Sequence, residues 1–178
     1  MRRINDQKNK YLLNIIAVNL FVFLVSSFAF AQEPPPAPPG AEPTMSGTWN
    51  YSVLTSDITE AGNDFSGTYE SASNQLIFDR NTTFRDRLNW SITINKSDVT
   101  WNPAIKLWIR RTGNGNPTSG ATISGGNNYQ EVVNSELSFF SGYRESNGVP
   151  IQLKVTGISV VIPIDTYYTN LVFTITEF

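Results

Sequence analysis

The residue types that could do chemistry in this chain are few, and two are missing: it holds no histidine and no cysteine. Without them, Ser-His-Asp and Cys-His nucleophilic catalysis are excluded, as are zinc sites of the usual kind. Carboxylates and aromatics remain. Asp57, Glu60, Asn63 and Asp64 form an oxygen-rich cluster in a loop. Hard oxygen ligands at that density suit calcium, but the EF-hand spacing is absent, and a solvated acidic loop has the same composition. Two carboxylates could hydrolyse a glycoside, yet such a pair is defined by its separation in space and none stands out along the chain. Asp165 reads as a turn residue before the last strand.

The aromatics offer a second chemistry. Trp108 falls between Lys106 and Arg110 on the polar phase of its segment. If that face meets solvent, its flat ring could stack on a pyranose, with Trp101 and Tyr168 as companions. Against this stands a plain packing role against a neighbouring loop. Trp49 and Trp90 share apolar phases and are expected in the core. The Asn-X-Ser/Thr tripeptides at Asn50, Asn81, Asn89 and Asn95 match the glycosylation pattern, which matters only in a eukaryotic secretory host. No catalytic residue, cofactor or metal site follows from these residues, and the expectation is a protein that is not an enzyme.

The elements that would position such residues are strands. Leu88, Trp90, Ile92 and Ile94 alternate with Asn89, Ser91 and Thr93, and Ile105, Leu107 and Ile109 with Lys106, Trp108 and Arg110; Ile151, Leu153 and Val155 continue the period, and Leu171, Phe173 and Ile175 close it. Trp49, Tyr51 and Val53 show the same period of two, which marks strands with one buried face. Further strands are expected near 75–79, 129–133 and 136–141. At Gly157 the apolar phase shifts to Ile158, Val160 and Ile162, which predicts a bulge or a strand crossing between sheets, ended by Pro163. The Gly- and Asn-rich stretch 112–128 has no lysine and does not sit between a strand and a helix, so it is no phosphate loop. It reads either as a mobile surface loop with a short strand near 121–124, or as a binding loop on a rigid scaffold. The predicted fold is all-β: a single antiparallel β-sandwich, Ig-like or pilin-like, of about seven to nine strands over residues 45–178.

Ahead of this domain lie two segments of other character. Arg2, Arg3, Lys8 and Lys10 precede an apolar stretch, Tyr11–Phe30, that ends in Ala29-Phe30-Ala31. A basic start, an apolar middle and a small-x-small end define a signal peptide over residues 1–31. An uncleaved anchor is the alternative, since the stretch approaches the ~20 residues that span a bilayer. Residues 32–44 hold six of the ten prolines and are expected to form an extended, disordered linker. Beyond residue 31 the chain carries 9 Lys and Arg against 14 Asp and Glu. This acidic balance disfavours nucleic acid and anionic membranes as partners. The protein is expected to be secreted, periplasmic or at the cell surface, with the membrane touched only through an uncleaved signal segment. With no disulfide available in an oxidising compartment, the domain must stand on its core.

The C-terminal run Ile151-Gln-Leu-Lys-Val-Thr-Gly-Ile-Ser-Val-Val-Ile-Pro163, followed by Asp165-Thr-Tyr167 and an alternating strand to Ile175, resembles the ending of secreted bacterial pilin-like sandwiches. It is similar to spore coat protein U and to chaperone–usher fimbrial subunits. The resemblance implies that Tyr167 holds a corner, that Leu171, Phe173 and Ile175 point inward, and that the role is structural or adhesive. The chain departs from that pattern in lacking a disulfide. It also places the proline run where a donor strand would lie, and proline cannot supply ladder hydrogen bonds. Thr48–Leu54 would have to serve instead. The partners so implied are other copies or other surface proteins, met through a sheet edge. Glycans are the partners on the alternative reading, a carbohydrate-binding module using Trp108, Trp101 and Tyr168.

Overall fold

A computed structural model describes residues 13–15, 21–22, 43–54, 65, 69–80 and 88–178. Among them there is no helix, and two antiparallel sheets pack face to face as a β-sandwich. The strands are β1 (Leu13–Ile15), β2 (Phe21–Val22), β3 (Thr44–Ser46), β4 (Tyr51–Val53), β5 (Tyr69–Glu70), β6 (Leu76–Arg80), β7 (Asn89–Thr100), β8 (Lys106–Arg111), β9 (Asn116–Pro117), β10 (Thr122–Gly125), β11 (Gln130–Glu131), β12 (Leu137–Tyr143), β13 (Ser146–Thr156) and β14 (Tyr168–Glu177).

One sheet runs β10-β12-β7-β14-β2. The other runs β11-β8-β13-β6-β3, with β5 and β9 also paired to β13. Among the described residues twelve strands thus make the sandwich, more than the seven to nine expected. The surplus comes from two-residue strands (β2, β5, β9, β11), too short to show an alternation. Among the described residues β4 pairs with β1, in a small third sheet.

From β6 onward nearly every step along the chain changes sheets; only β8 to β9 stays within one. Even β12 and β13, separated by two residues, belong to opposite sheets. The reversal there is made by Arg144, which takes φ of 63°, a left-handed conformation uncommon outside glycine. Its carbonyl accepts the Trp90 indole N–H at 2.7 Å, and its own N–H donates to the Leu88 carbonyl.

The core is what the alternation demands. Trp90, Ile92 and Ile94 of β7 and Leu171, Phe173 and Ile175 of β14 face Leu76, Phe78, Leu107, Ile109, Ile151, Leu153 and Val155 of the other sheet, all buried. Phe78 spans the layers, its ring 5.4 Å from Trp90 and 5.7 Å from Phe140. Such tilted and edge-on pairs add to the burial term. Trp49 and Val53 of Thr48–Leu54 are buried in the same core, while Leu54 is exposed.

Two arginines are buried with this core. Arg80 of β6 pairs with Glu177 of β14 at 2.9 Å, joining the sheets. Arg111, at the end of β8, is enclosed by the two ends of the 112–128 stretch. It donates to the Gly125 carbonyl from Nε at 3.1 Å and from Nη2 at 2.9 Å. It also donates to the Gly113 carbonyl at 2.9 Å and to the Asn114 side chain. The stretch is therefore a crossover between sheets rather than a loose loop, carrying β9 and β10 and cinched at its base by one guanidinium. Burial pulls the Arg111 pKa down, and the charge is held by carbonyl dipoles rather than by a carboxylate.

One sequence expectation is overturned. No strand or bulge continues past Gly157: β13 ends at Thr156, and residues 157–167 form a turn-rich connection. Gly157 takes φ of 79°, and a Cβ there would overlap the Ala104 carbonyl. The phase change in the apolar pattern marks a strand ending on a left-handed residue, which only glycine adopts freely.

Candidate functional site

The calcium candidates Asp57, Glu60, Asn63 and Asp64 lie outside the described residues, as do Asn81 and most of the signal and linker segments. Thr44, placed in the linker from composition, already belongs to β3. Among the described residues no group of three or more Asp and Glu side chains converges as a metal site would require, and no helix is long and apolar enough to cross a membrane.

The three aromatic candidates occupy two places. Trp108 stands on the outward face of the seven-stranded sheet, half-buried, at the register of Lys154 on β13 and Glu131 on β11. Its indole N–H donates to Thr156 Oγ1 at 2.9 Å. Lys154 Nζ sits 5.3 Å from the Trp108 ring centre and 4.0 Å from that of Tyr129, which also has the Arg110 guanidinium 4.5 Å away. Arg110 reaches Gln152 Oε1 through two hydrogen bonds, and Lys106 pairs with Glu131 at 3.1 Å. The face is a ladder of rings and cations that satisfy one another. Each cation–π contact contributes on the order of 0.5–1 kcal/mol at an exposed site. A sugar stacking on Trp108 would therefore compete with Lys154. Burial, then the nearby Glu70 carboxylate, raise the Tyr129 pKa and keep that phenol neutral. Sequence reasoning missed Tyr129 as a member of this face, because its neighbours in space come from β8 and β13 rather than from its own segment.

Trp101 and Tyr168 lie together at one end of the five-stranded sheet, where Tyr168 pairs with Thr100. Trp101 packs against the core and donates its indole N–H to the Ile105 carbonyl at 2.8 Å, under Lys96. Tyr168 is exposed. Beside them, Asp98 accepts hydrogen bonds from Lys96 at 2.6 Å and from the buried Thr169 hydroxyl at 2.8 Å, where the register of β7 and β14 shifts. Partial burial pushes the Asp98 pKa up, but bonds from Lys96, Thr169 and Asn134 outweigh it and hold the carboxyl below its ordinary value.

A different feature is available for contact with another chain. β14 is ten residues long, and its inner edge pairs with β7 from Tyr168 to Glu177. Among the described residues its outer edge is met only at Val172–Phe173, by β2. The strand, Tyr-Thr-Asn-Leu-Val-Phe-Thr-Ile-Thr-Glu, holds no lysine, arginine or proline. Its one charge, Glu177, is engaged by Arg80. Of the devices that blunt a sheet edge, lysine and proline are missing from it, and the register shift at Tyr168–Thr169 is confined to its first residues.

No protein-family model matches this chain, and a search of curated proteins finds no relative.

Proposed function

We propose that this is a secreted, non-catalytic β-sandwich protein with a structural or adhesive role at the cell surface, of the pilin-like kind, and that it meets its partners along β14. The observation that carries the reading is the long outer edge of that strand, whose one charge, Glu177, stands at its end. An edge of this kind presents a row of backbone donors and acceptors that an extended segment of another chain can complete. On this reading Phe21–Val22 belong to the signal segment, and cleavage after Ala31 removes the one strand that covers the edge among the described residues. Arg80–Glu177 and the Phe78–Trp90–Phe140 cluster supply a rigid platform without a disulfide. The test is sizing and electron microscopy of the processed protein. Concentration-dependent assembly or retention at the host surface supports the reading; a strict monomer with neither contradicts it.

A second reading, a carbohydrate-binding module, is favoured by Trp108 and Tyr129 lying on either side of Lys154 on one outward face. A glycan array separates the two. A module binds a glycan and loses it in Trp108→Ala, whereas a structural subunit relying on β14 binds none through that face.

A further inference from the structure

The outward side chains along the edge of β14 are uncharged. Val172, Thr174 and Thr176 stand opposite Asn95, Thr93 and Ser91 of β7, all of them half-buried or exposed. Beyond residue 31 each copy of the chain is net acidic, with 9 Lys and Arg against 14 Asp and Glu. Two such copies repel wherever their carboxylates meet. Along this edge the one carboxylate, Glu177, stands at the strand's end and is paired with Arg80 at 2.9 Å. We propose that the partner on this edge is the β14 strand of a second copy. The two strands join antiparallel about a two-fold axis at Phe173, so that the sheet β10-β12-β7-β14 of each chain runs on into that of the other. This partner presupposes the docking role proposed for β14.

The strand is suited to pair with itself. Directly opposed residues of two strands point to the same face, so the joint keeps one buried and one outward face only if buried residues meet buried ones. The register centred on Phe173 does this along the strand: Leu171 meets Ile175, Phe173 meets its own copy, Val172 meets Thr174 and Asn170 meets Thr176. Aromatic and aliphatic pairs across strands favour such a register. It ends with Thr169 opposite Glu177, short of Tyr168, where the pairing with β7 slips. The two Glu177 carboxylates then lie at opposite ends of the joint. Centring on Val172 instead would draw Tyr168 and the slip into the ladder, opposite Thr176. A strand lent by a neighbour is the other way to complete an open edge. Neither candidate in this chain is suited to lending, since 32–44 is rich in proline and Trp49 and Val53 of Thr48–Leu54 are buried in the core. An isologous joint needs only an edge that every copy carries, and two-fold dimers are the commonest closed assemblies.

The chain has no cysteine, so introduced thiols report the register alone. Val172→Cys and Thr174→Cys are expressed separately as full chains, exported and processed, then mixed and treated with a mild oxidant. Opposed Cα atoms in this register fall within disulfide reach, whereas equal positions are offset by two residues, beyond the limit of about 7 Å. The mixture is expected to give about tenfold more covalent dimer than either variant alone. Asn170→Cys mixed with Thr176→Cys is a second such pair and is expected to behave alike. Assembled protein in which neither mixture links overturns the proposal, while leaving β14 as the docking edge for a different strand. Linking of Val172→Cys with itself also overturns it, since that marks the other register. A monomer at every concentration contradicts both this partner and the role of β14 on which it rests.

Discussion

Tyr167 donates its hydroxyl to the carbonyl of Pro163 at 2.6 Å, closing the corner through which the chain passes from β13 in one sheet to β14 in the other. The Tyr167 side chain is buried. A tyrosine corner of this sort ties a sheet-to-sheet connection to the strand that follows it. Tyr167→Phe keeps the ring and removes the hydrogen bond to the exposed Pro163 carbonyl, which costs about 0.5–1.5 kcal/mol. Urea unfolding is expected to show a lower midpoint with an unchanged slope; an unchanged midpoint would mean the corner is held by packing alone.

Gly142 is needed for room rather than for its backbone angle. It lies opposite Trp90 on the neighbouring strand, and a Cβ there would overlap the indole and the Thr122 carbonyl. Gly142→Ala is expected to destabilise by about 1–3 kcal/mol through overpacking. Near-ultraviolet circular dichroism should register the displaced Trp90.

Arg111 holds both ends of the 112–128 crossover, so its loss should be felt there first. Arg111→Met leaves the Gly113 and Gly125 carbonyls without their side-chain donor, at about 1–3 kcal/mol for each group left unsatisfied. Limited proteolysis is expected to nick 112–128 in this variant and not in Arg110→Met, whose side chain serves the outward face. Arg111→Lys should not rescue, since an ammonium cannot reproduce the guanidinium fork.

Asp98 sets an acid limit on stability. Its carboxyl is held below the ordinary value in the folded chain, so its contribution is present above the ordinary carboxylate value near pH ~4 and is lost as pH falls through the folded value. Asp98→Asn is expected to lower the neutral plateau of a stability-against-pH curve and to flatten its acid limb. Tyr129 acts at the other end. Its pKa is raised, so its contribution is full below the ordinary phenol value near ~10 and falls as pH climbs through the folded value. Tyr129→Phe should flatten that alkaline limb.

Much of the sandwich was legible in the sequence, because its long strands alternate cleanly. β7, β8, β13 and β14 bury the residues that the period of two selects, and Trp49 and Trp90 fall inside as their phase requires. What was not legible came from contacts between distant segments. The apolar set at Ile158, Val160 and Ile162 looked like a strand, but φ at Gly157 turns the chain out of the sheet, and Val160 and Val161 reach solvent. The 112–128 stretch looked loose because nothing in its own composition reveals that Arg111 cinches it. Trp108 was rightly placed on the polar phase, yet alternation alone could not show Lys154 and Tyr129 beside it. The pairing of Arg80 with Glu177, separated by 97 residues, leaves no local signature.

The measurement that bears most directly on the proposed role is the assembly state of the processed protein, lacking residues 1–31, with β14 intact and with its edge blocked. Lysines placed along an edge strand prevent another strand from pairing with it. Val172→Lys and Thr174→Lys both lie on the outward-facing phase of β14, so the fold should survive them. By sedimentation velocity and electron microscopy, the unaltered chain is expected to form concentration-dependent assemblies and the double variant to remain monomeric at every concentration. Identical monomers in both, with no retention at the host surface, would contradict the account of β14 as the docking edge.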